Sequence, residues 1–497
     1  MLVGVTQPIV LPRYAQGKSL IVPFDKFNDE CGVFGIYAHH DASAHAALGL
    51  HALQHRGQEA AGIVSFDGQR FYVHRGLGHV ADNFGKDATI GRLVGNAAIG
   101  HVRYATSGDT SLRNVQPIYA DLAKGGFALC HNGNLTNAIA LRQELVQQGA
   151  IFQSTSDTEV IIHLMAAAKK RTLVDDLITA LQQIQGAYSL VALARDYLIG
   201  VRDPWGVRPL VLGKLDGSPV LASESCALDI LGAELVRDVE PGEVVVISKS
   251  GIKSLFPFRP VPKRFCVFEY IYFARPDSQM EGTSVYQGRK AIGAELAREH
   301  PVDADVVIPV PDSGVASALG YAEAAGLPFE MGIIRNHYVG RTFIEPTAQI
   351  RDLGVKLKHN ANRGALAGKR VVLVDDSIVR GTTSTKIVSL VRNAGAREVH
   401  FRVASPPIIG SCFYGVDTPD RDKLLAANMN LEEMARYIGA DSLGFVSLDG
   451  LYRALGQGDG RNPNQPQYCD ACLSHDYPIP LTDHDQLYAM PIHATLF

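Results

Sequence analysis

No run of apolar residues in this 497-residue chain approaches the roughly 20 that a membrane-spanning helix needs. The N-terminal stretch MLVGVTQPIVLPRYAQG lacks a basic n-region, and Pro8 breaks its apolar part, so it makes a poor signal peptide. Charge of either sign is in no great excess. Lys and Arg number 47 against 51 Asp and Glu, a formal charge of −4, with no acidic or basic tail. That balance gives no argument for nucleic acid or a membrane surface as partner. Cysteine is scarce: Cys31, Cys130, Cys226, Cys266, Cys412, Cys469 and Cys472 are too few and too scattered for a secreted disulfide scaffold. Fixed-period repeats and low-complexity tracts are missing as well. The composition left, 46% apolar and 20% charged, is that of a cytoplasmic globular protein with room for two or three domains. In a reducing compartment such cysteines are core residues, nucleophiles or metal ligands.

The chain changes rhythm along its length. Residues 1–30 hold three prolines and little periodicity and read as a leader. From Cys31 to about residue 260, short β-rich runs dominate: VFGIY, GIVSF, RFYVH, AAIGHVRYA, GFALCHNG, YSLVALA, YLIGVRD, LVLGKL and GEVVVI. Helical patterns interrupt them at residues 43–55 and in DTEVIIHLMAAAKK and DDLITALQQI. Many strands broken by few helices predict packed sheets with helices outside. FPFRPVPKR, residues 256–264, marks a boundary. Beyond it, strands alternate with helices, which predicts a parallel α/β sheet over residues 261–440. Residues 421–455 read as helical. The final segment, 441–497, ends loop-rich and carries CDAC.

VVLVDDSIVRGTT, residues 371–383, is the strongest local signal. Val371 to Val374 is a wholly apolar strand, as a buried parallel strand should be. Asp375 and Asp376 stand at its carboxyl end, where α/β sheets bind ligands. The turn that follows opens a helix, whose free N–H groups and dipole suit a phosphate. Gly381 permits close approach, Ser377, Thr382 and Thr383 add hydroxyls, and paired carboxylates suit sugar hydroxyls or a hard cation.

This stretch resembles the ribose-phosphate signature of the type I phosphoribosyltransferases. The resemblance implies 5-phosphoribosyl-1-pyrophosphate as substrate, held with one Mg²⁺ per subunit. Asp375 and Asp376 would contact the ribose, and Ser377, Arg380, Gly381, Thr382 and Thr383 would surround the 5-phosphate. PVPDSG, residues 309–314, is similar to the family's pyrophosphate loop, with Ser313 joining Asp375 and Asp376 at the metal. Residues 335–364, six Lys or Arg against two acids with little periodicity, would be a lid closing over the pyrophosphate.

A second resemblance explains the first half. CGVFGI at 31–36, HRGQEAAGI at 55–63, GHVRYATSG at 100–108, CHNGNL at 130–135 and STSDTE at 154–159 look together like the class II glutamine amidotransferases. Those domains begin at a catalytic cysteine, whose α-amine has a pKa near 8 and serves as its base. The family's oxyanion donors map to Asn132 and Gly133. Its glutamine ligands map to Arg103 for the α-carboxylate, Asp157 for the α-ammonium, Thr106 in the same loop, and Arg56 near the nucleophile. Cys130 and Cys226 read as core. Cys31 can use its own amine only once residues 1–30 are removed, so self-processing is expected.

CDAC lies outside any βαβ context, and with Cys266 and Cys412 it makes four cysteines, the count that an iron–sulfur cluster or a structural zinc requires. Spacing alone leaves both open. Enzymes joining the two families above include a leader-bearing branch with a [4Fe–4S] cluster. Resemblance to that branch implies Cys266, Cys412, Cys469 and Cys472 as ligands of one cluster per subunit. The expected fold is therefore an α+β N-terminal-nucleophile hydrolase domain, an αββα sandwich over 31–260, followed by an α/β type I phosphoribosyltransferase domain. The expected reaction makes 5-phosphoribosylamine from glutamine and the activated ribose, the entry to purine synthesis. Purine nucleotide feedback inhibitors and a homotetramer are implied too, with no membrane or nucleic-acid partner.

Overall fold

The computed structural model describes residues 31–85, 87–104, 111–336 and 359–484. The leader, Thr106 and most of the expected lid lie outside them. No helix among the described residues is long and apolar enough to cross a membrane.

The first unit is built on two antiparallel sheets. In the seven-stranded sheet, Gly32–Tyr37 lies between Ala97–Arg103 and Ser218–Ala222. In the six-stranded sheet, Gly125–Leu135 and Gly186–Ala194 are the long central pair. Val33, Val64 and Ile99 from one sheet meet Ala128, Val191 and Val245 from the other in a dry layer. The outer faces are covered in turn. Ala42–Ala52 and Ser225–Leu231 pack on the first sheet, and Thr158–Ala168 and Leu173–Leu181 on the second. Strands buried on both faces read as continuous apolar runs because neither face meets water, which is why GIVSF and YSLVALA stood out. This is the αββα sandwich.

Three strands that the sequence pattern missed, Ile118–Leu122, Glu234–Asp238 and Gly251–Leu255, are all sheet edges with exposed residues. Ser218–Ala222 was missed too. It joins Val211–Leu215 through Asp216 and Gly217, both at positive φ (47° and 89°), the backbone of a tight hairpin turn.

The second unit is a parallel sheet of Val306–Pro309, Arg370–Asp375, Glu398–Val403 and Ser442–Phe445, adjacent in that order. Val307 also bridges Phe329 on its other side, in parallel. The chain thus turns outward after its first strand and inward after the next. This reversal places the ends of Val306–Pro309 and Arg370–Asp375 at a topological switch point, where such sheets bind ligands. Residues 421–455 are not one helix. Short helices Leu425–Asn428, Leu431–Ile438 and Leu448–Ala454 flank the strand Ser442–Phe445, so this sheet runs past residue 440. Tyr468–Cys469 then pairs in parallel with Phe265–Cys266, returning the C-terminal segment to the start of the second unit. The two units share one apolar cluster, in which Ala187 and Val207 pack with Phe268, Ile271, Tyr414 and Ile479.

Candidate active sites

Cys31 immediately precedes the central strand of its sheet, and pairing of Gly32 with Val102 sets it beside Arg103. Its side chain is 8% exposed, and Sγ donates to the Tyr104 carbonyl at 3.3 Å. Burial pushes the thiol up to about 11; Arg103 works against that, while Asp157 and Glu59 add to it. Arg103 is buried at the strand end. Asp157 precedes the Thr158–Ala168 helix, and its Oδ2 accepts the Leu135 N–H at 3.0 Å. A thiol, a guanidinium and a carboxylate are therefore gathered from three separate segments.

Asn132 and Gly133 lie in the facing sheet, on Gly125–Leu135. The Asn132 side chain is fully buried, and neither Nδ2 nor Oδ1 has a hydrogen-bond partner among the described residues. An unpaired buried amide costs about 1–3 kcal/mol, so it signals a donor reserved for something else. Gly133 has φ 136°, and a Cβ there would fall 2.0 Å from the Ala187 oxygen, so only glycine fits. The preceding His131 is fixed by its N–H donating to Gln116 Oε1 at 2.7 Å and by Nδ1 at 3.1 Å from Thr158 Oγ1. Cys130 is fully buried in the core, as the sequence suggested; Cys226 is buried as well.

Arg56, expected near the nucleophile as a glutamine ligand, lies beside Gly32, where an added Cβ would come 3.6 Å from Arg56 Cβ. Its guanidinium enters a buried network, pairing through Nε with Glu224 and through Nη2 with Glu269 Oε2 at 2.5 Å. His55 Nε2 lies 2.6 Å from Glu224, and Arg208 3.9 Å from Glu269. Glu269 opens the π-helix Glu269–Phe273 of the second unit. Arg56 therefore ties the two units together. The next residue, Gly57, packs on the Arg103 backbone. Sequence reading passed over Glu224, Glu269 and Arg208, and their buried acid–base pairing had no local signal.

At the switch point, Asp375 and Asp376 are both 1% exposed. The Asp376 N–H donates to Asp375 Oδ1 at 2.9 Å, and Ser377 Oγ to Asp376 Oδ1 at 2.6 Å, which pins the turn. Gly381, at φ 81°, precedes the Thr382–Asn393 helix, whose first turn carries Thr382 and Thr383. A Cβ at Gly381 would meet Leu425 Cδ2 at 2.8 Å. Arg380 is half-buried on the same loop. The 310–314 loop lies alongside: the Val310 N–H donates to the Val374 carbonyl at 2.8 Å, and a Cβ on Gly314 would lie 2.4 Å from that oxygen. Ser313 is thus carried next to the acidic pair. Ile333–Arg335 and His359–Ala361 form an antiparallel ribbon at the base of the expected lid, and Arg335 pairs with Asp312.

Cys266, Cys412, Cys469 and Cys472 line one enclosed cavity together with Arg208, Phe268, Tyr414 and Thr418. Backbone register sets Cys266 beside Cys469, and the N–H groups of Ile409 and Gly410 both reach the Cys472 carbonyl at 3.0 Å. Burial opposes the Arg208 charge, but Cys266, Glu269, Cys412 and Cys469 around it raise its pKa on balance. Among the described residues, no three His, Cys, Asp or Glu side chains, these four cysteines included, form a group placed to hold a metal ion.

Comparison with known proteins agrees with this division. A glutamine amidotransferase domain profile matches residues 101–229, and a phosphoribosyl transferase domain profile matches 283–405. The amidophosphoribosyltransferase of Rhizobium etli is 59% identical over 92% of this chain and 94% of its own. That of Bacillus subtilis is 48% identical, over 91% and 94%. The solved B. subtilis glutamine phosphoribosylpyrophosphate amidotransferase, complexed with ADP and GMP, superposes with a TM-score of 0.86 at 46% identity. That match covers 91% of this chain and 98% of that one.

Proposed function

The chain belongs to the amidophosphoribosyltransferase family, and we propose how its two sites divide the glutamine-dependent first step of purine biosynthesis. Cys31 Sγ attacks the glutamine carboxamide. A thiol that burial has raised to about 11 needs a base beside it. An α-amine of pKa near 8 on the same residue supplies one. Residues 1–30 must therefore be removed, so that the enzyme starts at Cys31. Asn132 Nδ2 and the Gly133 N–H donate to the developing oxyanion. Arg103 takes the substrate α-carboxylate as a planar fork, Asp157 takes the α-ammonium, and Thr106 is the remaining expected contact to glutamine. The proton on the cysteine amine passes to the departing nitrogen. Ammonia leaves, and water clears the thioester as glutamate.

Ammonia then passes inside the protein, since in water it would be mostly protonated and no nucleophile. At the second site Asp375 and Asp376 hold the ribose hydroxyls. Ser377, Arg380, Gly381, Thr382 and Thr383 hold the 5-phosphate at the helix start. Ammonia bonds to the anomeric carbon as the carbon–oxygen bond to pyrophosphate breaks, giving 5-phosphoribosylamine. Ser313, Asp375 and Asp376 offer hard oxygen donors that would hold Mg²⁺, and such an ion would neutralise charge on the leaving pyrophosphate. Cys266, Cys412, Cys469 and Cys472, four thiols on one cavity with a buried guanidinium against them, suit a [4Fe–4S] cluster that anchors the C-terminal segment. A cytoplasmic homotetramer inhibited by purine nucleotides completes the reading; the relative solved with ADP and GMP supports the last point.

The observation that carries the glutaminase assignment is the buried Asn132 carboxamide with no partner on either polar atom among the described residues. Cys31→Ala tests the two-site division. It should abolish glutamine-dependent pyrophosphate release and keep the ammonia-dependent reaction. Loss of both activities in a folded protein refutes the division. Intact mass should place the N-terminus at Cys31, and anaerobically purified protein should contain iron.

A further inference from the structure

The loop that starts at Cys412 reaches the glutamine site from behind. Gly415 has φ 112°, and a Cβ on it would lie 2.8 Å from Gly133 Cα and 3.0 Å from Gly133 C. Gly133 is thus clamped between two backbones, Gly415 on one side and Ala187 on the other. The next residue, Asn134, donates from Nδ2 to the Phe413 carbonyl at 2.9 Å, across 279 residues of sequence. The loop is itself held. The Cys412 N–H donates to Thr418 Oγ1 at 2.7 Å, the Tyr414 N–H to Cys412 Sγ at 3.3 Å, and the Tyr414 hydroxyl to the Ile479 carbonyl at 2.8 Å.

We propose that residues 413–415 position the oxyanion hole, with Gly415 and Asn134 as positioning residues for glutamine hydrolysis. The contact pins Gly133 Cα, the atom at which the Asn132–Gly133 peptide ends and whose position sets where that peptide's N–H aims, so the second unit finishes a site that belongs to the first. Oxyanion stabilisation depends on donors set in place before charge develops, and a small tilt of the Gly133 peptide loses it. The inference rests on Asn132 and Gly133 being the oxyanion donors.

Gly415→Ala forces backbone against backbone, which no side-chain rotation relieves. Asn134→Ala removes the hydrogen bond to Phe413 without backbone strain, and it serves if the first variant fails to fold. Each should lower kcat for glutamine at least about tenfold, since a whole donor is worth roughly 10²–10³. Glutamine KM should stay within about twofold, because substrate binding does not use the oxyanion donors. The ammonia-dependent rate, iron content and rate of Cys31 alkylation by iodoacetamide should all be unchanged. An unchanged kcat in folded Asn134→Ala overturns the proposal. So does a parallel loss of ammonia-dependent activity, which would mark a general structural role. Asn132→Ala is the control: full glutamine hydrolysis in that variant would overturn the oxyanion reading itself, independently of the loop.

Discussion

Replacing Arg56 with methionine separates two roles for this residue. As a glutamine ligand, Arg56 would set KM; as an interface ion-pair residue, it sets stability. Its side chain is 1% exposed, and its partners Glu224 and Glu269 are 0% exposed. Methionine keeps the apolar stem and deletes the charge. Two buried carboxylates then remain, with His55 at 2.6 Å from Glu224 and Arg208 at 3.9 Å from Glu269 as partial compensation. Breaking a buried pair costs about 3–5 kcal/mol, and the surviving partners favour the lower end. At about 2–4 °C per kcal/mol for a unit of this size, 3 kcal/mol lowers Tm by about 6–12 °C. Adding Glu269→Gln removes one stranded carboxylate and should recover part of the loss, since neighbours in one network couple by about 0.5–3 kcal/mol. Thermal unfolding followed by far-ultraviolet circular dichroism measures both variants, and steady-state kinetics measures glutamine KM. A Tm shift below about 2 °C combined with a large rise in glutamine KM would refute the interface role.

Three further outcomes follow from the geometry. Asp375→Asn and Asp376→Asn should each raise the KM for phosphoribosylpyrophosphate about tenfold or more, the worth of a hydrogen bond to a charged group; ammonia-dependent assays measure this without the glutamine site, and an unchanged KM in both variants would contradict the ribose assignment. Gly381→Ala should cost about 1–2 kcal/mol at its left-handed φ and raise the same KM, leaving that of glutamine alone. Burial alone would raise the Glu159 carboxyl, but bonds from His163, Ser154 and the Gln153 N–H outweigh it and hold the pKa at about 2, below the ordinary 4.5. That contribution to stability is complete above the ordinary value and is lost as pH falls through about 2, so Glu159→Gln should flatten the acid arm of the stability profile; an unchanged arm would refute it.

Legibility in the sequence tracked burial and locality. Arg370–Asp375 could be read because a strand covered on both faces must be apolar, and Asp375, with Asp376 just beyond it, breaks that pattern at the carboxyl end. Glu234–Asp238 and Gly251–Leu255 could not, because an edge strand takes its conformation from one neighbour and leaves its side chains to solvent. Ser218–Ala222 was a different case: the Asp216–Gly217 signal was present, but the run beside it, SPVLA, is short and holds a proline. Candidate site residues in short motifs were readable one segment at a time. What joins the segments was not. Arg56 meets Glu224 and Glu269 across 168 and 213 residues, and no local pattern encodes such a pairing. The resemblance to amidotransferases suggested a ligand role for Arg56, and the ion pairs its side chain makes with Glu224 and Glu269 lay outside what any motif could suggest.

The same long-range contacts bear on when glutamine hydrolysis becomes possible. The C-terminal segment does not end at the cysteine cavity. The Asp483 carboxylate accepts the N–H groups of Ile139 and Ala140 at 2.8 and 3.1 Å, satisfying the start of the Ala138–Gln147 helix, and the Asp483 N–H donates to the Thr136 carbonyl at 2.8 Å. These N–H groups, which a helix start leaves without intrahelical acceptors, thus take their acceptor from a residue translated long after the helix they open. Gly415 meets Gly133 in the same region, a few residues before that helix. With Gly415 positioning the oxyanion hole, a glutaminase unit whose partner sheet and cysteine loop are not yet folded holds its nucleophile but lacks an aligned oxyanion site. On that proposal, hydrolysis without an acceptor for ammonia would be suppressed by the order of assembly. This follows from a backbone clamp between residues 133 and 415 and requires no separate inhibitory element.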